Sequence, residues 1–109
     1  MSPISQFSAL ADATRCRMLE MLHEKPYPVH ELAAAFDISR PAISRHLRVL
    51  KDAGLVREEK QGRENIYALE SSKLVSVDRW ITRLWGAHMT RLQRRSRGRA
   101  AIGDLFAAE

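Results

Sequence analysis

The 109-residue chain has little of what marks secreted, membrane-spanning or metal-rich proteins. Its single cysteine, Cys16, excludes an internal disulfide and cannot supply a cysteine-rich metal site. No apolar run reaches the ~18 residues of a membrane span, and the first residues, MSPISQFSAL, contain no basic stretch followed by an apolar one. We therefore expect no membrane span, no signal peptide and a cytoplasmic protein.

Signs of catalysis and of internal repetition are also absent from the sequence. No Ser/His/Asp, Cys/His or paired-carboxylate set lies in a recognisable motif, and no glycine-rich phosphate loop occurs. We predict no enzymatic activity, no catalytic residue and no cofactor. With 45% hydrophobic residues, a chain of 109 residues is long enough for one domain with a modest core, which oligomerisation would help to stabilise.

Positive charge is present, but its position is more informative than its total. The formal net charge is +5, and the arginines near the C-terminus equal it numerically: Arg91, Arg94, Arg95, Arg97 and Arg99. Net charge alone is therefore weak evidence for a nucleic-acid partner. These arginines could form a solvated tail or an additional DNA contact, and the sequence leaves both interpretations open.

The stretch ISRPAISRHLRVLKDAGLV, residues 38–56, predicts a helix with signals at both ends. Ser39 is a suitable N-cap, and Pro41 fits the first turn, where its missing N–H is no loss. Gly54 lies where the end of a helix favours a left-handed residue. We place the helix at residues 40–53.

The two sides of this predicted helix differ in chemistry. Ile43, Leu47 and Leu50 recur at the spacing of an apolar helix side. The opposite side and its edges carry basic and small groups with a single acid: Arg40, Pro41, Ser44, Arg45, Arg48 and Asp52. Such a side could simply be solvated, but its nearly uniform sign favours an anionic partner. His46 lies nearer the apolar side, where it could be structural or contact a phosphate.

Short helices precede this helix and a hairpin follows it. SQFSALA and DATRCRMLEMLHE predict two helices, the second capped by Asp12, and HELAAAF predicts a third after the break KPYPV. Beyond residue 53, LVREEK and ENIYALE predict two strands around QGR, with Gly62 at the tip. Lys60, Gln61 and Arg63 lie at this tip.

The last predicted helix, SSKLVSVDRWITRLWGAHMTRLQRR, has an apolar stripe longer than docking on a small core requires. The members of the stripe recur at spacings of three and four: Leu74, Val77, Ile81, Leu84, His88 and Leu92. Trp80 and Trp85 add apolar area beside it. The two tryptophans could pack in a dimer or line a small-molecule cavity.

Two short helices joined by a tight turn, with a basic-tipped hairpin after them, predict a winged helix-turn-helix, mainly α with a small β-hairpin. Its second helix fits the major groove of double-stranded DNA, where Arg pairs with guanine, and the hairpin can contact phosphates. The candidate DNA contacts are Ser39, Arg40, Pro41, Ser44, Arg45, His46, Arg48, Lys60, Gln61 and Arg63. A winged helix can also be a protein-interaction module, whose outer side should then be apolar.

Three stretches resemble the ArsR/SmtB family of bacterial winged-helix repressors, in the order that family shows: LADATRCRMLEML, ELAAAFDISRPAISRHLRVLKDAGLV and QGRENIYAL. DRWITRLWGAHMTRL is similar to the last helix of a metal-independent branch of that family. The resemblance covers about residues 5–92. It implies a homodimer that represses transcription from a pseudo-palindromic operator in the bacterial cytoplasm, associated with the nucleoid when bound.

The resemblance also implies which helices form the dimer interface, namely the first and the last. The candidate interface residues are Phe7, Leu74, Val77, Trp80, Ile81, Leu84, Trp85, His88 and Leu92. We assign residues 1–97 to the DNA-binding and dimerisation domain and leave residues 98–109 as an unassigned tail.

The metal ligands of that family are missing from this chain. Apart from Asp78, the positions that its metal sensors use hold residues unsuited to a metal: Ala33, Ala35, Trp80, Arg91 and Arg94. The histidines do not rebuild a cluster of three or four donors elsewhere. We therefore predict no metal site.

Two further positions complete the expectations from sequence. Asp37 stands where the family usually has a turn glycine, and Asp tolerates a left-handed backbone better than most residues. Cys16 is either a plain, partly buried side chain or a redox or electrophile switch. A family member that senses a small molecule or a redox signal is thus an alternative, and the inducer is unknown.

Overall fold

The computed structural model describes residues 2–95, and for Arg94 and Arg95 the backbone alone. The tail 98–109 and the expectations on Arg97 and Arg99 lie outside the described residues. The described elements are, in chain order, α1 (Ile4–Leu10), α2 (Ala13–Glu24), β1 (Tyr27–Pro28), α3 (Val29–Ala34), α4 (Arg40–Asp52), β2 (Val56–Gln61), β3 (Glu64–Leu69) and α5 (Ser72–Arg95). None of these helices is both long and apolar enough to cross a membrane.

The chain divides into two compact units, one ending at Val77 and one beginning at Asp78. The core of the first unit includes the apolar side of α4, whose Ile43, Leu47 and Leu50 are 0–1% exposed. These side chains share a cluster with buried residues of neighbouring elements: Ala9, Met18, Leu19, Leu22, Leu32, Ala53, Leu55 and Val56. Burial of one Leu or Ile contributes about 1.5–3 kcal/mol, so this side of α4 is firmly held.

Both ends of α4 confirm the predicted caps. The Ser39 hydroxyl accepts a hydrogen bond from an amide of the first turn at 3.2 Å. At the other end Gly54 has φ 75°, a left-handed value at which an L side chain would be strained. The Gly54 amide donates to the Lys51 carbonyl and the Leu55 amide to the Leu50 carbonyl, both at 2.9 Å, which is a Schellman motif.

Polar contacts fix α1 and α2 around the core. As predicted, Asp12 caps α2, with its carboxylate accepting from the Arg15 amide at 3.0 Å. This hydrogen bond is the main reason that the pKa of Asp12 lies below its ordinary value. Gln6 of α1 is buried, and its Nε2 donates to the Ala53 carbonyl at the end of α4 at 2.7 Å. The first helix is therefore connected directly to α4.

The sheet has one strand more than the sequence predicted. The order is β1-β3-β2, all antiparallel, and Pro28 in β1 pairs with Ile66. The stretch KPYPV, read as a plain break, thus contains a two-residue strand. Pro28 is tolerated there because β1 is at the sheet edge, where a missing N–H costs no ladder bond. The hairpin is confirmed, and Gly62 at its tip has φ 64°.

The turn between α3 and α4 does not use a left-handed residue. Within residues 2–95, positive φ occurs at Gly54 and Gly62 and at no residue other than glycine. The expectation that Asp37 replaces a turn glycine in that conformation is therefore wrong. The chain passes from α3 to α4 with an ordinary backbone at Asp37, so a residue with a Cβ fits there without strain.

Candidate nucleic-acid interface

The outward side of α4 presents polar groups because the opposite side is fixed in the core. All predicted contacts in or just before this helix are exposed except His46: Ser39, Arg40, Pro41, Ser44, Arg45 and Arg48. The first turn contains no acidic residue, so the positive end of the helix dipole adds to the arginine charges. The arrangement offers donors and positive charge to an anionic surface.

His46 is half-buried because it faces α2. Its Nδ1 lies 3.2 Å from Nη1 of Arg15 and 3.8 Å from Oδ2 of Asp12. Arg15 also donates to the carbonyls of Ala9 at 2.7 Å and Ser8 at 3.3 Å. The His46 ring thus contacts both a guanidinium and a carboxylate at the start of α2. This geometry favours the structural role for His46, and a phosphate contact stays a prediction.

The hairpin forms a wing whose tip is polar and exposed. Lys60, Gln61 and Arg63 lie there, and the two-residue turn joins Gln61 to its partner Glu64. The Glu64 carboxylate lies 3.7 Å from Nδ1 of His30. The tip thus contains an acid, Glu64, that was not predicted as part of the site, beside the two predicted cations.

A cleft of about 310 Å³ lies between α4 and the wing, and it contains a hydrogen-bond network that was not predicted from the sequence. It is lined by Ser44, Arg48, Lys51, Asp52, Glu58 and Tyr67. The Glu58 carboxylate accepts from Lys51 Nζ at 2.9 Å and from the Tyr67 hydroxyl at 3.0 Å. The one available signal was the hairpin register, which places Glu58 directly opposite Tyr67.

The network perturbs the ionisation of its members. The hydrogen bond from Lys51 is the main reason that the pKa of Glu58 lies below its ordinary value. Burial, followed by the neighbouring Glu58 carboxylate, raises the pKa of Tyr67 to about 12. At neutral pH, Glu58 is therefore an anion that accepts two hydrogen bonds, and Tyr67 is a neutral donor.

The predicted interface residues of α5 divide into two groups. Val77 is 8% exposed, and Leu74 packs against the core cluster. Val77 is thus covered by the chain itself and Leu74 is covered in part, and a contact of this end of the stripe with a partner stays a prediction. Further along, Ile81 is 48%, Leu84 58% and Trp85 45% exposed.

The remaining interface candidates differ in exposure. Trp80 and Leu92 are partly covered, as is Phe7 on α1, whereas His88 is exposed. The His88 ring centroid lies 6.0 Å from that of Trp85, so the two side chains occupy the same part of α5. An apolar surface around Leu84 is thus left on the second unit.

No group of three or more His, Cys, Asp or Glu side chains that could hold a metal ion occurs in the described part of the chain. The Cys16 thiol lies 3.0 Å from the Leu10 carbonyl, to which it donates. Cys16 is partly buried, and both predicted roles, a plain side chain or a switch, stay predictions.

Comparison with known proteins gives consistent matches. A family model described as "Bacterial regulatory protein, arsR family" matches residues 12–58. The HTH-type transcriptional regulator Rv2034 of Mycobacterium tuberculosis is 39% identical over 89 residues, covering 82% of this chain and 83% of that protein. The arsenical resistance operon repressor of Escherichia coli is 35% identical over 92 residues, covering 84% and 79%.

Solved structures agree with these matches. The crystal structure of the ArsR family transcriptional regulator RHA00566 has a TM-score of 0.74 and 35% identity, covering 78% of this chain and 88% of that one. Together with the exposed side of α4 and the wing, these matches define the protein as a winged helix-turn-helix transcriptional regulator. The chain belongs to the ArsR family of bacterial regulatory proteins, as its resemblance had indicated.

Proposed function

We propose that the protein is a homodimeric repressor that binds a pseudo-palindromic operator in double-stranded DNA. The observation that carries the proposal is the contrast within α4, where Leu47 is 1% exposed while Arg45 and Arg48 are exposed. A helix held by one side in a core can bring the other side into a major groove in a defined orientation.

Base reading is assigned to Ser44 and Arg45, which lie on the outer side of α4. Arg can donate two hydrogen bonds to guanine O6 and N7, and a serine hydroxyl can reach base edges or phosphate. Ser39 has a different role. Its oxygen accepts the helix-capping bond, and its O–H remains able to donate to a phosphate at the start of the helix.

The wing is assigned to the DNA backbone. Lys60 and Arg63 are exposed at its tip and can neutralise phosphates, while Gln61 between them can donate from its amide. Contacts of this kind position the protein on any sequence and do not discriminate between bases. Their contribution should therefore depend strongly on salt.

Dimerisation is assigned to α5, with Phe7 of α1 as a further contact. Exposed Ile81, Leu84 and Trp85 form an apolar surface that a second copy would cover, since contiguous apolar surface is rare on isolated proteins. Two copies related by a twofold axis would read half-sites about 34 Å apart, one turn of DNA. A regulator of the chromosome acts in the bacterial cytoplasm, where we place it.

Footprinting on the DNA upstream of its own gene tests the proposal. We expect protection of an inverted repeat by two protomers, and lower transcription from the overlapping promoter when protein is added. Excess random-sequence duplex should compete poorly. Equal affinity for the upstream fragment and random duplex, or occupancy by one protomer, would contradict the proposal.

A further inference from the structure

The Glu58 carboxylate joins three elements at the inner edge of the proposed DNA-binding surface. It lies on β2, opposite Tyr67 of β3, and it accepts from Lys51 in the last turn of α4. The Lys51 side chain is 52% exposed and the Glu58 side chain 23% exposed. A lysine beside the DNA-binding side of α4 is therefore held by an acid of the wing.

The effect of Glu58 on DNA binding differs between random sequence and an operator. Binding to random sequence comes almost entirely from cations that neutralise phosphates. Glu58 weakens this binding to random sequence because it engages Lys51 and because its own charge repels phosphate. Binding to an operator also requires base contacts by Arg45, which depend on how α4 is oriented. The bond from Lys51 connects the wing to that helix, and the bond from Tyr67 holds the Glu58 carboxylate in place within the wing.

We propose that Glu58 is a specificity-determining residue, which holds Lys51 away from DNA phosphates and fixes the wing relative to α4. The inference rests on the proposed function. It does not make Glu58 a DNA contact, because the residue acts through Lys51 and through the position of the wing.

The test compares Glu58→Gln with Glu59→Gln on two probes, the footprinted upstream fragment and a random duplex of equal length. Both variants remove one negative charge from β2, but the exposed Glu59 accepts from neither Lys51 nor Tyr67. We expect Glu58→Gln to bind random duplex about threefold or more tightly, with a salt slope steeper by about 0.9 per protomer. Its preference for the upstream fragment should fall by about the same factor. Glu59→Gln should keep the preference of the wild type.

Lys51→Gln supplies an independent measurement, since an exposed lysine can be replaced without exposing core. Alone, it should leave the salt slope unchanged, because Glu58 already engages the ammonium. Combined with Glu58→Gln, it should reverse the gain on random duplex. A shallower salt slope for Lys51→Gln alone would overturn the inference, as would equal behaviour of Glu58→Gln and Glu59→Gln. Failure of the wild type to prefer the upstream fragment would instead count against the proposed function.

Discussion

Helices α4 and α5 have the same kind of sequence pattern and opposite surroundings. Both carry apolar residues three and four apart, yet Leu47 of α4 is 1% exposed and Leu84 of α5 is 58% exposed. The pattern shows that one side of a helix is apolar, but it does not show what covers that side. In α4 the cover is the chain's own core, so the outer side is rigidly presented. In α5 we assign the cover to a second copy.

The largest effect should come from placing a charge on the uncovered surface. Leu84→Glu would bury an unpaired carboxylate in the dimer, which should weaken dimerisation by about 3 kcal/mol or more, roughly a hundredfold in Kd. Operator binding should be lost with it. Sedimentation velocity at micromolar concentration measures the first effect and gel shift the second. Thr90→Glu, on the opposite side of α5, should remain dimeric, and a dimeric Leu84→Glu would refute the assignment.

A substitution that leaves a cavity on the buried side of α4 should lower the stability of the folded chain. Leu47→Ala removes a side chain that is 1% exposed and should lower the free energy of unfolding by about 2–5 kcal/mol. Val49→Ala, at a position 39% exposed on the same helix, should change it by less than about 1 kcal/mol. Urea denaturation of both variants tests this difference. Similar losses would mean that the core does not hold α4 as described.

Removal of the Tyr67 hydroxyl should have a smaller effect on stability, and one that depends on pH. Its pKa in the folded chain is about 12, above the ordinary 10.0, so the folded state favours the protonated phenol. The stabilisation is fully present below pH 10 and is lost as pH rises towards 12. Tyr67→Phe should lower stability at neutral pH by about 1 kcal/mol and abolish this part of the alkaline loss. Urea denaturation from pH 8 to pH 12 measures both, and Tyr27→Phe, which keeps Tyr67, should retain the alkaline loss.

Metals should have no effect on DNA binding by this protein. The ligand positions of the family's metal sensors hold Ala33, Ala35, Trp80 and Arg91 in this chain, so no charge-matched set of donors is available there. Stoichiometric zinc, cadmium, copper or arsenite should leave operator binding unchanged in a gel shift. Tight, stoichiometric zinc binding by calorimetry that releases the operator would overturn this prediction.

The parts of the fold that were predictable from sequence depend on local signals. The caps of α4 at Ser39 and Gly54 and the hairpin tip at Gly62 each follow from residues a few positions apart. Strand β1 could not be predicted, because two residues form it only through pairing with β3. The contact of His46 with Arg15 spans 31 positions and depends on how α4 packs against α2.

The candidate site was likewise predictable only where it depends on local signals. Helix periodicity placed Arg45 and Arg48 outside, and the structure keeps them exposed. The contact between Lys51 and Glu58 was not predictable, since it requires the distance between α4 and the wing. Burial of Val77 was missed for a related reason, because periodicity shows which side of a helix is apolar and not which residues cover it.

The most direct test of whether α4 reads DNA while the wing positions it compares Arg45→Ala with Arg63→Ala. Each variant is titrated against the footprinted fragment and a random duplex across a salt series. Arg45→Ala should cost roughly 1–3 kcal/mol on the fragment and much less on random duplex. Arg63→Ala should weaken both alike and make the salt slope shallower by about one counterion per wing. Equal losses on both DNAs for Arg45→Ala would contradict the assignment of base reading to α4.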